Sequence, residues 1–301
     1  MHLLITGAQG QLGHDVAQAA DQQGFDTQAL PRSSLDITRA DLVDQAIDAR
    51  QPDLVVNCAA YTAVDRAEEE PEQAFAVNRD GPSHLAAACA RHSIPLIHVS
   101  TDYVFDGTKD SPYTETDQIR PINAYGRSKA AGEAAVQAMT GRFVILRTAW
   151  VFGAHGNNFV RTMLRLGQER PSLRVVNDQV GCPTFTGHLA EAIMGIVAIY
   201  RTETELPWGI YHYGGQPPIS WHGFAGHIFT TARAMGVPLK IEALEAIPTS
   251  EYPLPAKRAA NSRLDSSKFE RVFGLQTGAW EDGVRAVVSA WLESRIIEPP
   301  E

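Results

Sequence analysis

The sequence predicts an α/β protein with a Rossmann-type doubly wound parallel sheet and a smaller α/β lobe on its C-terminal side. Two observations lead to this fold class. Short apolar strand candidates alternate with helical periodicity through the first half of the chain, and the connections between them are short. The first strand candidate also runs directly into a glycine-rich loop and then a helical pattern, which is how such sheets begin.

Length, charge and cysteine content restrict the class of protein. The 301 residues can form one large or two modest domains, and 44% hydrophobic and 20% charged residues are ordinary for a globular protein. A formal net charge of −9 argues against a general nucleic-acid binder. The three cysteines show no Cys-x-x-Cys spacing, no signal-peptide pattern opens the chain, and the longest apolar run is too short to span a bilayer. We therefore expect a cytoplasmic protein with no membrane partner and no disulfides.

The first strand candidate covers residues 2–6 and leads into a loop with glycines at Gly7, Gly10 and Gly13. The spacing is Gly-x-x-Gly-x-x-Gly rather than the more usual Gly-x-Gly-x-x-Gly. A strand, a glycine loop and a helix in this order place a diphosphate on helix N–H groups. The alternative is a glycine-rich turn that binds no ligand. We favour a dinucleotide, because the loop belongs to the first βα unit of the chain.

A second strand candidate at 25–29 ends just before Arg32. In a dinucleotide fold this strand end meets the adenosine ribose, where an arginine accepts a 2′-phosphate and an acidic residue selects a free 2′-hydroxyl. Arg32 therefore predicts NADPH. Asp36 follows closely, so NADH remains an alternative, and Arg32 could also be an exposed loop charge.

The rest of the first half continues the alternation. Its predicted elements are, in order, helix 42–49, strand 53–57, helix 65–92, strand 96–99, helix 124–139 and strand 143–146. Pro71 and the Gly81-Pro82 pair should break or restart the long helix. Small residues at Ala59 and Ala60 follow the third strand, where they would let a cofactor lie close.

Four residues follow the carboxyl ends of predicted strands: Gly7, Arg32, Ala59 and, just past the fourth strand, Thr101. The carboxyl ends of parallel strands meet at one edge of a sheet, and ligands bind there. The sequence therefore predicts a single site at this edge.

Three side chains near this edge could transfer a proton. Thr101 carries a hydroxyl just past the fourth strand, and Tyr125 and Lys129 lie four residues apart, on one face of a helix. A phenol is a poor acid near neutral pH, and a nearby ammonium favours the phenolate and lowers its pKa. A Tyr-x-x-x-Lys pair alone is common on solvated helix faces. The neighbouring hydroxyl and the glycine loop favour catalysis.

The second half is less regular and is expected to supply a substrate-binding lobe. Its predicted elements are a helix from 159 to about 168, strand 173–176, a turn at 177–184, helix 187–200, strand 210–213, helix 222–235 and a final amphipathic helix with Trp280 and Trp291. We assign 1–150 to a dinucleotide-binding domain, with a return segment at about 173–213. Residues 151–172 and 214–301 form the second lobe, with the last few residues frayed.

Together these pieces resemble the extended short-chain dehydrogenase/reductase superfamily, and within it the family of dTDP-4-dehydrorhamnose reductases. The resemblance extends over nearly the whole chain, and its stretches at 100–107 and 177–184 are far more specific than the glycine loop. It is carried by residues 7–13, 56–65, 100–107, 125–129, 147–151, 156–159, 177–184 and 261–264.

The resemblance implies that NAD(P)H delivers hydride to the C4 ketone of dTDP-4-dehydro-β-L-rhamnose. Tyr125 would protonate the developing alkoxide, and Lys129 would lower the pKa of the tyrosine and hold the nicotinamide ribose. Thr101 stands where the superfamily usually has serine and would hydrogen-bond the ketone oxygen.

The resemblance also implies which residues surround the ligands. Asp102 and Trp150 would line the sugar pocket, while Arg258 and Asn261 would reach the nucleotide, unless their side chains only tie down a surface loop. The residues that would line the cofactor, besides Gly7, Gly10, Gly13, Arg32, Tyr125 and Lys129, are Gln11, Leu12, Asp36, Ile37, Ala59, Ala60, Tyr61 and Val99.

Some relatives carry magnesium between the carboxylates of a homodimer, and Asp15 and Glu191 stand at matching positions here. The default interpretation of both is solvated helix charge, so we assign no metal ligand, although a homodimer is expected.

Two alternatives stay open for the function. One is the same chemistry on another nucleotide-linked 4-keto sugar. The other is a non-catalytic NADP-binding subunit like the regulatory subunit of methionine adenosyltransferase, which the Thr101, Tyr125 and Lys129 set disfavours.

Overall fold

In the computed structural model, which describes residues 1–297, the first lobe is built around strands that begin at the N-terminus. Its elements are β1 (His2–Thr6), α1 (Gln11–Gln22), β2 (Asp26–Leu30), α2 (Ala40–Arg50), β3 (Leu54–Asn57), α3 (Arg66–Glu69), α4 (Pro71–Phe75), a π-helix (Ala76–Asp80), α5 (Gly81–Arg91), β4 (Leu96–Thr101), a 3₁₀ turn (Asp102–Val104), α6 (Ala124–Met139) and β5 (Phe143–Thr148). The predicted frayed end falls on residues 298–301, outside the described part.

The remaining elements run through the second lobe and back to the first. They are β6 (Val151–Phe152), α7 (Phe159–Glu169), β7 (Ser172–Val176), β8 (Val180–Gly181), β9 (Thr184–Phe185), α8 (Thr186–Glu203), β10 (Gly209–His212), β11 (Ile219–Ser220), α9 (Trp221–Ala234), β12 (Ala243–Ile247), a 3₁₀ turn (Thr249–Glu251), α10 (Ser267–Phe273) and α11 (Trp280–Ile297).

The central sheet has six strands in the order β10-β5-β4-β3-β1-β2, and every neighbouring pair is parallel. Strands β1 and β3 are almost entirely buried, because helices cover both faces. Residues of α1 and α8 pack on one face, while α2 and α5 pack on the other. The predicted doubly wound Rossmann-type fold is confirmed.

The predicted helix over 65–92 restarts at both expected points, with a gap at only one of them. Glu70 leaves the helical region just before Pro71, as the residue before a proline tends to do. At Gly81 and Pro82 the chain restarts as α5 directly after the π-helix, with helical backbone angles at Gly81. Pro82 lies in the first turn of α5, where no backbone N–H is required, so the chain continues without a gap.

The second lobe has its own apolar core, formed by α7, β7, α9 and α11 around Phe224 and Trp280. The predicted return segment at 173–213 begins too early. Strand β7 pairs with β12 inside the second lobe, and only α8 and β10 rejoin the first. Helix α10 also belongs to the first lobe, since Phe269 and Phe273 pack in its core. No described helix is long and apolar enough to cross a membrane.

Candidate active site

The glycine loop after β1 forms a backbone cradle. Gly7 has a left-handed backbone with φ of +73°, and a Cβ there would lie 2.6 Å from the nitrogen of Ala59. A Cβ at Gly13 would collide with the carbonyl oxygen of Gly7. The N–H of Gly10 donates to that oxygen at 2.9 Å, and α1 then begins at Gln11 without a side-chain cap. The first-turn N–H groups lack intrahelical acceptors, so the cradle suits the diphosphate of a dinucleotide.

The two side chains between Gly10 and Gly13 are used for packing. The Gln11 amide donates to the carbonyl of Asn157 at 3.3 Å and accepts from the Asn158 amide at 2.8 Å. Leu12 is buried in the first-lobe core. These positions can therefore serve a cofactor through their backbone N–H groups, while Gln11 also fastens the start of the second lobe to α1.

The end of β2 places Arg32 beside Asp36, with Nε and Oδ2 separated by 3.6 Å. The Arg32 side chain is 68% exposed, so it can turn toward a ligand. Although partial burial opposes it, hydrogen bonds from Thr38 and the Arg32 charge hold the pKa of Asp36 below its usual value. Ile37 is buried in the core, and a Cβ at Gly81 would collide with its side chain, so its position is fixed by packing.

The segment after β3 is held by two asparagines that sequence reasoning did not select. Asn57 Oδ1 accepts from the Thr6 hydroxyl at 2.7 Å and from the N–H of Ala59 at 3.1 Å. Asn78, inside the π-helix, accepts from the N–H of Tyr61 at 2.8 Å and donates to its carbonyl at 3.0 Å. These bonds keep Ala59, Ala60 and Tyr61 against the glycine loop. A polar residue inside a helical stretch was the available signal for Asn78.

The predicted trio gathers at the end of β4. Thr101 Oγ1 accepts from the N–H of Tyr103 at 3.2 Å and donates to Asp102 Oδ1 at 2.9 Å. Tyr125 and Lys129 lie in the first turns of α6 and are both buried. Lys129 Nζ donates to the carbonyl of Val99 at 2.7 Å, so this ammonium rests on the strand that carries Thr101.

Burial is the main cause of the pKa shifts of Tyr125 and Lys129. It raises the pKa of the Tyr125 phenol, and the side chain of Thr101 opposes this rise. The prediction that Lys129 leaves the phenol with a lowered pKa is therefore wrong, because desolvation of the phenolate outweighs the neighbouring groups. Burial also lowers the pKa of Lys129 to about 8, against the opposing charge of Glu133.

A buried ion pair supports the floor of the site. Arg147 in β5 and Glu133 in α6 are both almost fully buried, with Nη2 and Oε2 2.7 Å apart. The hydroxyl of Ser100 donates to the same carboxylate at 2.6 Å. The pair therefore ties α6 to the two strands that end at the trio. Glu133 lies one helical turn after Lys129, which was the only available hint of this role.

A cavity of about 1010 Å³ opens beside Asp102, between the two lobes. Burial raises the pKa of Asp102 to about 7, opposed by hydrogen bonds from the side chains of Thr101 and Ser262. The walls include Asp102, Tyr103, Trp150, Phe159, Trp221 and Arg258. The cavity thus places apolar rings and polar groups next to the trio, as a sugar site requires. Trp150 was predicted for it, but Trp221 was not.

Arg258 and Asn261 have different positions. Arg258 faces the cavity, and its Nη2 donates to Asp65 Oδ2 at 2.8 Å. For Asn261 the hydrogen bonds favour the second of the two predicted roles, a side chain that ties down a loop. Its amide donates to the carbonyls of Lys109 and Ser111 and accepts from Arg263, so the side chain serves to tie its own loop down.

Magnesium bound by Asp15 and Glu191 between two subunits stays a prediction, and within one described chain these two carboxylates do not group. Within residues 1–297, the only His, Cys, Asp and Glu side chains that group closely enough for a metal ion are His14, Asp15 and His155. Glu191 is not among them. Two imidazoles suit magnesium poorly, because this ion prefers oxygen ligands.

Comparison with known proteins supports one family. The family model described as RmlD substrate binding domain matches residues 1–292. The chain is 45% identical to the dTDP-4-dehydrorhamnose reductase of Aggregatibacter actinomycetemcomitans, over 95% of this chain and 97% of that protein. It is 38% identical to the Escherichia coli K12 protein of the same name, over 96% and 97%.

Solved structures agree with these relatives. A dTDP-4-dehydrorhamnose reductase from Clostridium acetobutylicum superposes with a TM-score of 0.89 at 36% identity, covering 97% of this chain and all of that one. The corresponding enzyme from Bacillus anthracis, solved in complex with NADP, gives a TM-score of 0.87 at 35% identity, over 97% and 99%.

Proposed function

The chain belongs to the RmlD substrate binding domain family, and from this premise we propose that it is an NADPH-dependent dTDP-4-dehydrorhamnose reductase. Its substrate is dTDP-4-dehydro-β-L-rhamnose, and its product is dTDP-L-rhamnose, a precursor of cell-surface polysaccharide. One observation carries the proposal beyond similarity. Thr101 at the end of β4 donates to Asp102, which lines the cavity, and Lys129 of α6, one turn after Tyr125, donates to the Val99 carbonyl of the same strand.

The cofactor is assigned to the cradle side of this edge. The backbone of residues 7–13 would hold the diphosphate, and Arg32 would hold the 2′-phosphate that distinguishes NADPH from NADH. Ala59, Ala60, Tyr61 and Val99 would line the path from there to the trio, where Lys129 would bind the nicotinamide ribose. The bound nicotinamide supplies the hydride that reaches C4 of the sugar.

The trio supplies the proton. Because burial raises the pKa of Tyr125, its phenol keeps its proton at neutral pH and can transfer it to the ketone oxygen as negative charge develops there. The Thr101 hydroxyl, held by the Tyr103 N–H and Asp102, would orient that oxygen. Lys129, with a pKa of about 8, is largely an ammonium at pH 7 and stabilises negative charge nearby.

The sugar and its nucleotide are assigned to the cavity. Asp102 and Trp150 would border the sugar, and Arg258, already paired with Asp65, would contribute positive charge toward the diphosphate. We also propose a cytoplasmic homodimer. The three free cysteines are consistent with a reducing compartment, and light scattering of the purified protein would test the dimer.

The deciding experiment is turnover. Purified enzyme incubated with dTDP-4-dehydrorhamnose and NADPH should consume the NADPH, seen as a loss of its near-ultraviolet absorbance, and release dTDP-rhamnose, identified by chromatography. The same assay with NADH measures cofactor preference, and other dTDP- and UDP-linked 4-keto sugars measure substrate preference. A protein that binds NADP tightly but turns over none of these sugars would contradict the proposal.

A further inference from the structure

Trp150 and Trp221 form a stacked pair in the wall of the cavity. Their ring centroids are 3.4 Å apart and their planes differ by 5°. Trp150 follows β5 in the first lobe, whereas Trp221 is the first residue of α9 in the second lobe. The pair therefore joins the two lobes next to the site.

The backbone of Trp150 is in an unfavourable conformation. Its φ is +47°, in the left-handed region that non-glycine residues rarely occupy. Such a residue persists only where its surroundings hold it, and it often marks a functional site. Here the N–H of Thr184 donates to the Trp150 carbonyl at 3.2 Å, and Gly181 leaves room for the indole, since a Cβ there would collide with the ring.

Trp221 is held independently of Trp150. The preceding strand β11 pairs with β8, which places Ile219 opposite Gly181. The Ser220 hydroxyl caps α9 by accepting from the N–H of Gly223 at 3.1 Å, and it donates to Asn177 at 2.7 Å. The Trp221 ring also packs on Phe159, with centroids 4.6 Å apart. A fixed ring thus covers one face of the strained residue.

We propose that Trp221 is a positioning residue for the sugar, which holds the Trp150 indole where it forms the wall of the sugar site. The inference rests on the proposed reductase function, because it assigns this wall to the keto sugar. The wall is close to the reacting group, since Thr148, two residues before Trp150, pairs with Thr101 across β5 and β4. Without Trp221, the Trp150 backbone can relax and the wall moves.

A double-mutant cycle tests whether Trp221 acts through Trp150. We expect Trp221→Ala to raise KM for the nucleotide sugar roughly tenfold, which is about the scale of one aromatic pair, with KM for NADPH unchanged. Trp150→Ala should raise the sugar KM at least as much, and the double variant should match Trp150→Ala alone. Trp221→Phe should recover part of the loss, because a ring remains for stacking.

Trp280→Phe is the matched control. Trp280 packs on Phe224 in the same second-lobe core, with centroids 5.3 Å apart, but it does not stack on Trp150. This variant should lower the melting temperature and keep the sugar KM. Circular dichroism provides a separate readout, because the coupled signal of two stacked indoles should vanish in Trp221→Phe and persist in Trp280→Phe.

Two results would overturn the proposal. Additive effects of Trp150→Ala and Trp221→Ala would mean that Trp221 acts on the sugar by itself. Equal changes in sugar KM for Trp221→Ala and Trp280→Phe would reduce Trp221 to a core residue. Neither result touches the reductase assignment, which depends on turnover by the wild-type enzyme.

Discussion

The two lobes build their shares of the site in different ways. In the first lobe, the cradle is backbone packed closely at glycines, and Thr101 stands at the end of β4 with Tyr125 and Lys129 on α6 beside it. In the second lobe, the wall of the cavity is side chains, brought together by pairs of two-residue strands such as β8 with β11. Few substitutions are compatible with the backbone cradle of the first lobe. The cavity wall of the second lobe can change its surface through substitution of side chains.

The largest effect is expected from the first lobe. Tyr125→Phe removes the only proposed proton donor while keeping the ring and its packing, so kcat should fall by roughly 10²-fold or more. NADPH affinity, measured by fluorescence titration, should stay near the wild-type value because the cradle is untouched. Near-normal turnover in this variant would remove Tyr125 from the mechanism.

A second prediction concerns the rigidity of the cradle. In Gly13→Ala the new methyl group collides with the Gly7 carbonyl, so loop and helix must separate. Overpacking of this kind typically costs about 1–3 kcal/mol of folding stability. NADPH affinity should fall as well, because the displaced loop no longer presents its N–H groups to the diphosphate. Isothermal titration of the folded variant measures this loss.

The control for the cradle is Gly141→Ala. Gly141 has open space around it and no left-handed backbone, so an added methyl group meets nothing. Its NADPH affinity should equal that of the wild type. If Gly13→Ala also keeps the wild-type NADPH affinity, the cradle is flexible, which contradicts the rigid backbone site that we assign to the first lobe.

Asp102, at the boundary between the lobes, should make stability depend on pH. Burial raises its pKa in the folded protein to about 7 from 3.8, so the folded state holds a proton that the unfolded state has released over this range. Its contribution to stability is fully present below pH 3.8 and is lost as the pH rises toward 7. Asp102→Asn removes this titration.

The measurement is the difference in urea midpoint between pH 5 and pH 8. The wild type should lose more stability over this interval than Asp102→Asn, because all other titrating groups are common to both. An identical pH dependence in the two proteins would mean that Asp102 is charged at pH 5 and better solvated than its burial indicates.

The sequence predicts the first-lobe part of the site better than the second-lobe part. Gly7, Ala59 and Thr101 could be placed at one edge from strand order alone, because parallel strands bring their carboxyl ends together. Trp221 could not, since its neighbour Trp150 is distant in sequence and the strands that unite them have only two residues each. Strand β7 was assigned to the wrong lobe for a related reason: an isolated apolar run does not reveal its partner, and β12 lies far along the chain.

The sequence also does not predict residue roles that depend on burial and on contacts distant in the chain. The Tyr125 and Lys129 spacing correctly placed the two groups on one helix, but not the burial that raises the pKa of the phenol. Asn78 and Glu133 look like ordinary helix residues in the sequence, yet one holds Tyr61 in place and the other pairs with buried Arg147. Desolvation and long-range pairing are properties of the folded chain, and no local pattern encodes them.

The smallest effect is expected at Arg32, an exposed side chain of the first lobe that we propose to select the cofactor. Arg32 Nε lies 3.6 Å from Asp36 Oδ2 and the side chain is 68% exposed, so Arg32→Ala should leave the fold intact. A charge-assisted bond to the 2′-phosphate is worth about 1.5–3 kcal/mol when well formed, and solvent exposure at this site reduces it, so NADPH should bind up to roughly tenfold more weakly. NADH, which lacks that phosphate, should bind almost unchanged.

Parallel titrations of both cofactors at low and high salt test whether Arg32 binds the 2′-phosphate. Such a contact weakens with salt in the wild type and not in the variant. Equal losses for the two cofactors would make Arg32 an ordinary loop charge and return the choice between NADPH and NADH to the neighbouring Asp36.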